Sequence, residues 1–256
     1  MRNLVLPLAA VTLLTLSALG TGTPIAAPSN AGAPLPDDVI VVGEPILAAP
    51  EVAGAVADTA CSDTTYARKP WHLAGTYSWL YNGARAPASV GGTALTSIRT
   101  ATQNLVRGTN RCAIAVTSPV SQAYAGATTS AVAQIGATGT CTGNDGRSVT
   151  SWGTLSSGYL GYTCVYYRSN GVVLASDMLL SNSHSWFTTR PLICLGSYDL
   201  ESVVVHERGH TLGLEHVDQF LHPAQIMTPR ISSCDTTKRL LAAGDVAGLR
   251  AVTSQP

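Results

Sequence analysis

Charge is scarce in this 256-residue chain: Asp, Glu, Lys and Arg make up 12% of it, with fifteen residues of each sign and a formal net charge of zero. No Lys/Arg-rich run occurs, which takes nucleic acid off the list of expected partners. Lysine is down to two residues against thirteen arginines, a bias that points to a GC-rich bacterial source. No CxxC pair is present, and none of the six cysteines lies near a histidine that would serve it as a base, which argues against a thiol nucleophile. After the first twenty residues no segment is long and apolar enough to span a bilayer. What is there, 45% hydrophobic residues with 24 glycines and 14 prolines, describes a globular, loop-rich chain long enough to bury a core.

The N-terminus has the layout of an export signal. Arg2 supplies the positive charge, Leu4 to Leu19 the apolar stretch, and small residues between Gly20 and Ala27 a cleavage region. The stretch is short for a membrane anchor, which needs about twenty apolar residues. Residues 1–27 are therefore assigned to a signal peptide. Residues 28–60, rich in Ala, Pro, Gly and Val, carry five acidic residues and no basic one, show no clear helical or strand period, and are assigned to a linker or short propeptide. The main domain is 61–256. Six cysteines in an exported chain imply three disulfides, for which fifteen connectivities are possible. The pairing expected is Cys61 with Cys112, Cys141 with Cys164, and Cys194 with Cys234.

Histidine is nearly absent too, six residues in all, yet three of them fall in the eleven residues HERGHTLGLEH, His206 to His216. Two histidines four apart share a helix face, so His206 and His210 project their rings toward one point, with Glu207 on the flank. Two neutral imidazoles can hold zinc while the carboxylate reaches the open side of the metal. Gly213 can take the left-handed conformation that ends a helix, and His216 then swings back as a third nitrogen ligand. Three ligands leave one tetrahedral position free, the layout of a catalytic rather than a closed structural site. Chance would produce the whole HExxHxxGxxH pattern on the order of once in a hundred thousand sequences of this composition.

From about Gly171 to Val252 the chain resembles the metzincin clan of zinc endopeptidases, and a matrixin-like bacterial secreted metalloprotease is its closest description. QIMTP places Met227 eleven residues after the third histidine, where the clan has its methionine turn, and LLAAGDVAGLRAV looks like the C-terminal helix of the matrixins. GVVLASDMLLSN and DLESVVVHERGH look like the strand before the active-site helix and the helix itself. There are departures: Val217 stands where matrixins usually carry serine, Pro229 where astacin-like members carry tyrosine, and no cysteine precedes Cys61 to act as the matrixin latency ligand. The resemblance implies one catalytic Zn2+ held by His206, His210 and His216, with Glu207 as general base and Met227 packing beneath the metal. It also implies an extended substrate along an edge strand at Leu160, Gly161 and Tyr162, with Pro229 to Ile231 near the wall of the main specificity pocket.

The remaining segments fit one domain. TYSWLYNG reads as a strand ending at Asn82-Gly83, Val90 to Val106 as an amphipathic helix, CAIAVT as a strand, and YLGYTCVYYRSNGVVLASDMLL as two strands joined near Ser169 to Gly171. GATGTCTGNDGRS is a loop in which Asp145 offers a calcium ligand without a full set around it. The active-site helix should start near Ser197 or Asp199 and be buried, being apolar on nearly every side at Leu200, Val203 to Val205 and Leu212. The fold class expected is α+β: a metzincin-like two-lobed zincin domain with an N-terminal mixed sheet, an active-site helix and a C-terminal helix. The function expected is hydrolysis of a protein or peptide substrate by a monomer, with no membrane association after signal cleavage. Two other readings stay open, a zinc-stapled binding or structural module and a zinc amidase acting on cell-wall crosslinks; Glu207 speaks against the first, because a structural site has no use for it.

Overall fold

A computed structural model describes residues 39–49, 59–143 and 145–254. The expected signal peptide lies outside them. The central sheet is built from strands whose burial follows their sequence. β1 spans Ile40–Ala49, β2 Thr76–Asn82, β3 Ser121–Ala127, β4 Val149–Gly153, β5 Tyr159–Tyr167, β6 Val173–Ser181 and β7 Arg230–Ser232. In β2 the aromatic residues Tyr77, Trp79 and Tyr81 alternate inward, as a half-buried strand requires. β4 to β6 are buried almost throughout and occupy the middle of the sheet.

The order across the sheet is β7-β1-β5-β6-β4-β2-β3. β6, β4, β2 and β3 run parallel, β5 is antiparallel to β6, and β1 is antiparallel to β5 while parallel to β7. β5 and β6 are joined by the turn expected near Ser169 to Gly171, where Gly171 has φ +87°. Helix α1, Ala94–Arg107, ends on left-handed Gly108 and packs its Ile98, Ala101 and Leu105 stripe into the core it shares with helix α2, Leu200–Leu212. Helix α3, Ala243–Thr253, follows the loop-rich segment after Gly213. This is the α+β arrangement of a mixed sheet with an active-site helix and a C-terminal helix.

The three disulfides form as expected, Cys61–Cys112, Cys141–Cys164 and Cys194–Cys234. Two expectations need correction. CAIAVT is not a strand: Asn110 Oδ1 accepts from the N–H groups of both Cys112 and Ile114, and Ala113 takes a positive φ of 53°, so the backbone bonds locally instead of joining a ladder. The strand beside β2 is β3, nearer the middle of the chain. Residues 40–49, inside the stretch that showed no period, form β1, with Val42 opposite Val165, Gly43 opposite Cys164 and Ile46 opposite Gly161. Gly43, Glu44 and Pro45 break the alternation that would have revealed a strand, and the neighbouring strands supply the pairing that propensity withholds.

Candidate metal centre

α2 begins where Asp199 caps it: the carboxylate accepts from Ser202 N at 3.0 Å and is held from outside by Arg239 at 2.6 Å. All its residues from Leu200 to Leu212 are buried, the polar ones included. Gly213 ends the helix at φ +104°, and a Cβ there would fall 2.2 Å from the Trp71 carbonyl oxygen, so only glycine fits. The Trp71 indole in turn donates to His210 O at 2.8 Å. The chain then doubles back, and Leu214–Glu215 pairs antiparallel with Ala67–Arg68. That reversal delivers His216.

The three Nε2 atoms of His206, His210 and His216 lie 3.0, 3.1 and 3.2 Å from one another. Nδ1 of His206 donates to Ile226 O at 2.8 Å and Nδ1 of His210 to Leu214 O at 3.0 Å. A neutral imidazole with its hydrogen on Nδ1 carries a lone pair on Nε2, so the contact between these two rings sets lone pair against lone pair. A cation among them resolves that conflict. Three nitrogens about 2.05 Å from a tetrahedral zinc would stand about 3.3 Å apart, close to the spacing found. Burial, reinforced by the neighbouring imidazoles, drives the pKa of His206 and His210 well below the usual histidine value, which keeps them in the neutral, ligating form. The donor set therefore fits zinc, and the backbone carbonyls behind two of the rings fix their orientation.

Glu207 is fully buried beside this cluster. Burial pushes its carboxyl up to about 8, against the lowering effect of the Thr163 hydroxyl, which donates to Oε2 at 2.5 Å. The backbone of Ile46 also favours the charged form, while Oε1 has no hydrogen-bond partner. Gly161 leaves room for that oxygen, since a Cβ there would come within 2.8 Å of it. Thr163 escaped the sequence reading. The signal lay in the two-residue period of β5, which puts Gly161 and Thr163 on the same face.

Beneath the histidines, Met227 sits in a turn with Sδ so close to Gly209 that a Cβ at that glycine would fall 2.4 Å from it. The turn is tied down from α3: Asp245 accepts from Ile226 N and Ala242 N, both at 2.9 Å. Of the other residues singled out, Gly161, Tyr162, Pro229 and Ile231 all border β1. Gly161 and Tyr162 are in register with Ile46 and Pro45, so β5 is not the edge strand expected there but lies between β1 and β6; Pro229 O accepts from Leu47 N at 3.0 Å, and Ile231 is in register with Ala48. Leu160 is buried in the main core, while the Tyr162 ring turns to the opposite face with Ile135 and Leu179. Asp145 is engaged by Arg147, and no finding points to calcium there. His222 pairs with Asp63 at 2.8 Å, away from the cluster.

Residues 158–253, from the start of β5 to the end of α3, match the family described as matrixin. No curated protein matches the chain.

Proposed function

We propose that this matrixin-like metzincin metalloprotease is a secreted endopeptidase in which Glu207 carries the proton during hydrolysis of a peptide bond. The family match indicates a zinc-dependent metallopeptidase with peptide substrates. The observation that carries the finer reading is the convergence of three imidazole nitrogens beside a buried carboxylate that keeps one oxygen without a partner. Zinc held by His206, His210 and His216 supplies Lewis-acid chemistry, acidifying water and polarising a carbonyl.

The chain's own residues do the rest. Glu207 takes the proton of the attacking water on Oε1 and returns it to the departing amide nitrogen, while Thr163 holds the other oxygen and so fixes the plane of the carboxylate. Carbonyl groups of Ile226 and Leu214 keep two rings aimed, and Met227 packs from below. Leu160 to Tyr162 would pair with the substrate backbone, and Pro229 to Ile231 would form the opposite wall. Secretion is supported by three disulfides, which persist in oxidising compartments, and by the absence among the described residues of any helix long and apolar enough to cross a membrane. The structural-module and cell-wall amidase readings have no comparable support.

The test is hydrolysis of casein by the zinc-loaded chain and by Glu207→Gln, with zinc content measured on both. A fall in kcat of about two to four orders of magnitude at equal zinc content is expected, the range for losing a general acid–base group. Undiminished turnover by Glu207→Gln would remove the carboxylate from the chemistry.

A further inference from the structure

β5 and β7 border a gap one strand wide, and β1 fills it. β5 bonds to β1 along Ile40 to Leu47, and β7, only three residues long, joins the sheet through Leu47 to Ala49 of the same strand. The seat lies against α2. Ile46 is fully buried opposite Gly161, Leu47 N donates to Pro229 O at 3.0 Å, and Ala48 N donates to Gly158 O at 2.7 Å. Gly43 passes under the Tyr162 ring so closely that a Cβ would fall 2.3 Å from the phenol oxygen. The strand's sequence is thus fitted to its seat.

An ionic bridge fastens the strand beside the third histidine. Lys69 pairs with Glu44 at 2.5 Å and also with Glu215, the residue before His216. One oxygen of each carboxylate and a ring nitrogen of His216 lie within 4.8 Å of one another. Any peptide laid along β5 needs the same backbone groups that β1 already holds, so β1 and a substrate exclude each other.

We propose that Ile40–Ala49 is an internal occupant of the substrate channel, keeping the chain closed until the strand is displaced or removed. The proposal rests on the peptidase reading above for what the channel admits, and on the sheet register for its occupancy. Closure here works through backbone pairing and the Glu44–Lys69–Glu215 bridge, and no cysteine takes part. A tethered strand competes at an effective concentration on the order of millimolar, so a free peptide with an intrinsic Kd of about 10 µM would be weakened on the order of a hundredfold.

The experiment is binding of a fluorescently labelled peptide, IVVGEPILAA, to the zinc-loaded full chain carrying Glu207→Gln, which prevents cleavage. The chain with its natural strand is compared with one also bearing Glu44→Ala and Ile46→Gly, and hydrolysis is followed in parallel with Glu207 intact. Affinity higher on the order of a hundredfold in the unseated chain is expected, with a similar rise in hydrolysis at low substrate. Equal binding to both chains, or none to either, overturns the proposal. Tighter binding without hydrolysis by either chain would sink the peptidase reading and leave the occupancy standing; hydrolysis and affinity both unchanged by the substitutions would do the reverse. If the double substitution unfolds the chain, Lys69→Ala removes the bridge alone and should raise peptide affinity on the order of fivefold, no gain again counting against the proposal.

Discussion

α2 carries two polar clusters on opposite sides of one fully buried helix, and they are built on opposite principles. On one face, Arg208 is sealed among aromatic rings: it donates to the hydroxyls of Tyr77, Thr150 and Thr102 and lies 4.7 Å from the Tyr77 ring centroid and 5.1 Å from that of Trp79. Tyr77 passes the chain of bonds on to Ser176 O at 3.1 Å. This cluster closes on itself. On the other side His206, His210 and Glu207 are just as buried, yet their functional atoms meet lone pair to lone pair or have no partner. Burial alone does not mark function; the difference lies in whether the protein satisfies its own polar groups. Buried polar atoms left open are costly and persist where something else is meant to bind.

That contrast can be broken by substitution. The largest effect expected is on metal binding: His210→Ala takes away one of three nitrogens and should abolish retention of zinc after dialysis, while the thermal midpoint of the metal-free chain moves little. Arg208→Met should do the opposite. It leaves the buried hydroxyls of Tyr77 and Thr150 without their donor, and a loss of roughly 3 kcal/mol in urea unfolding is expected with zinc content unchanged. If Arg208→Met were neutral and His210→Ala strongly destabilising in the metal-free chain, the two clusters would have been assigned the wrong way round.

Smaller effects sharpen the picture around Gly209 and Met227. Gly209→Ala gains about 1 kcal/mol of helix propensity but forces a Cβ onto Met227 Sδ, and overpacking of about 1–3 kcal/mol should win, lowering the midpoint of thermal unfolding. Lys238, buried below the Met227 turn, donates to Gln225 O at 2.9 Å and to Thr228 Oγ1, and burial lowers its pKa to about 8. The folded chain therefore sheds this proton more readily than the unfolded one, whose value is near 10.5. The charge penalty is fully present below about pH 8, and stability rises from there toward pH 10.5 as the lysine becomes neutral. Urea midpoints measured across that window should show the rise in the parent chain and lack it in Lys238→Met.

How much of this was legible depended on the range of the forces involved. The HExxHxxGxxH spacing, the Asp199 cap and the left-handed Gly213 are local, set by helix geometry and by which residues tolerate positive φ, and they read directly from the chain. So did the β5–β6 hairpin, where apolar strands flank a turn around Gly171. CAIAVT misled because a single side chain, Asn110, captured N–H groups that strand propensity would have given to a ladder. Thr163 was invisible until the β5 register set it against Glu207.

By itself the sequence determined the spacing that brings together three histidines able to hold a metal, and the way the helix that carries two of them begins and ends, since both follow from residue type at short spacing. Only the tertiary structure decided that Arg208 is sealed while Glu207 is open, and that Ile40–Ala49 lies between β5 and β7. Those outcomes rest on pairings between residues far apart in the chain, from 44 positions for Thr163 with Glu207 to 131 for Tyr77 with Arg208, where register and the filling of space, rather than any local preference, select what meets what.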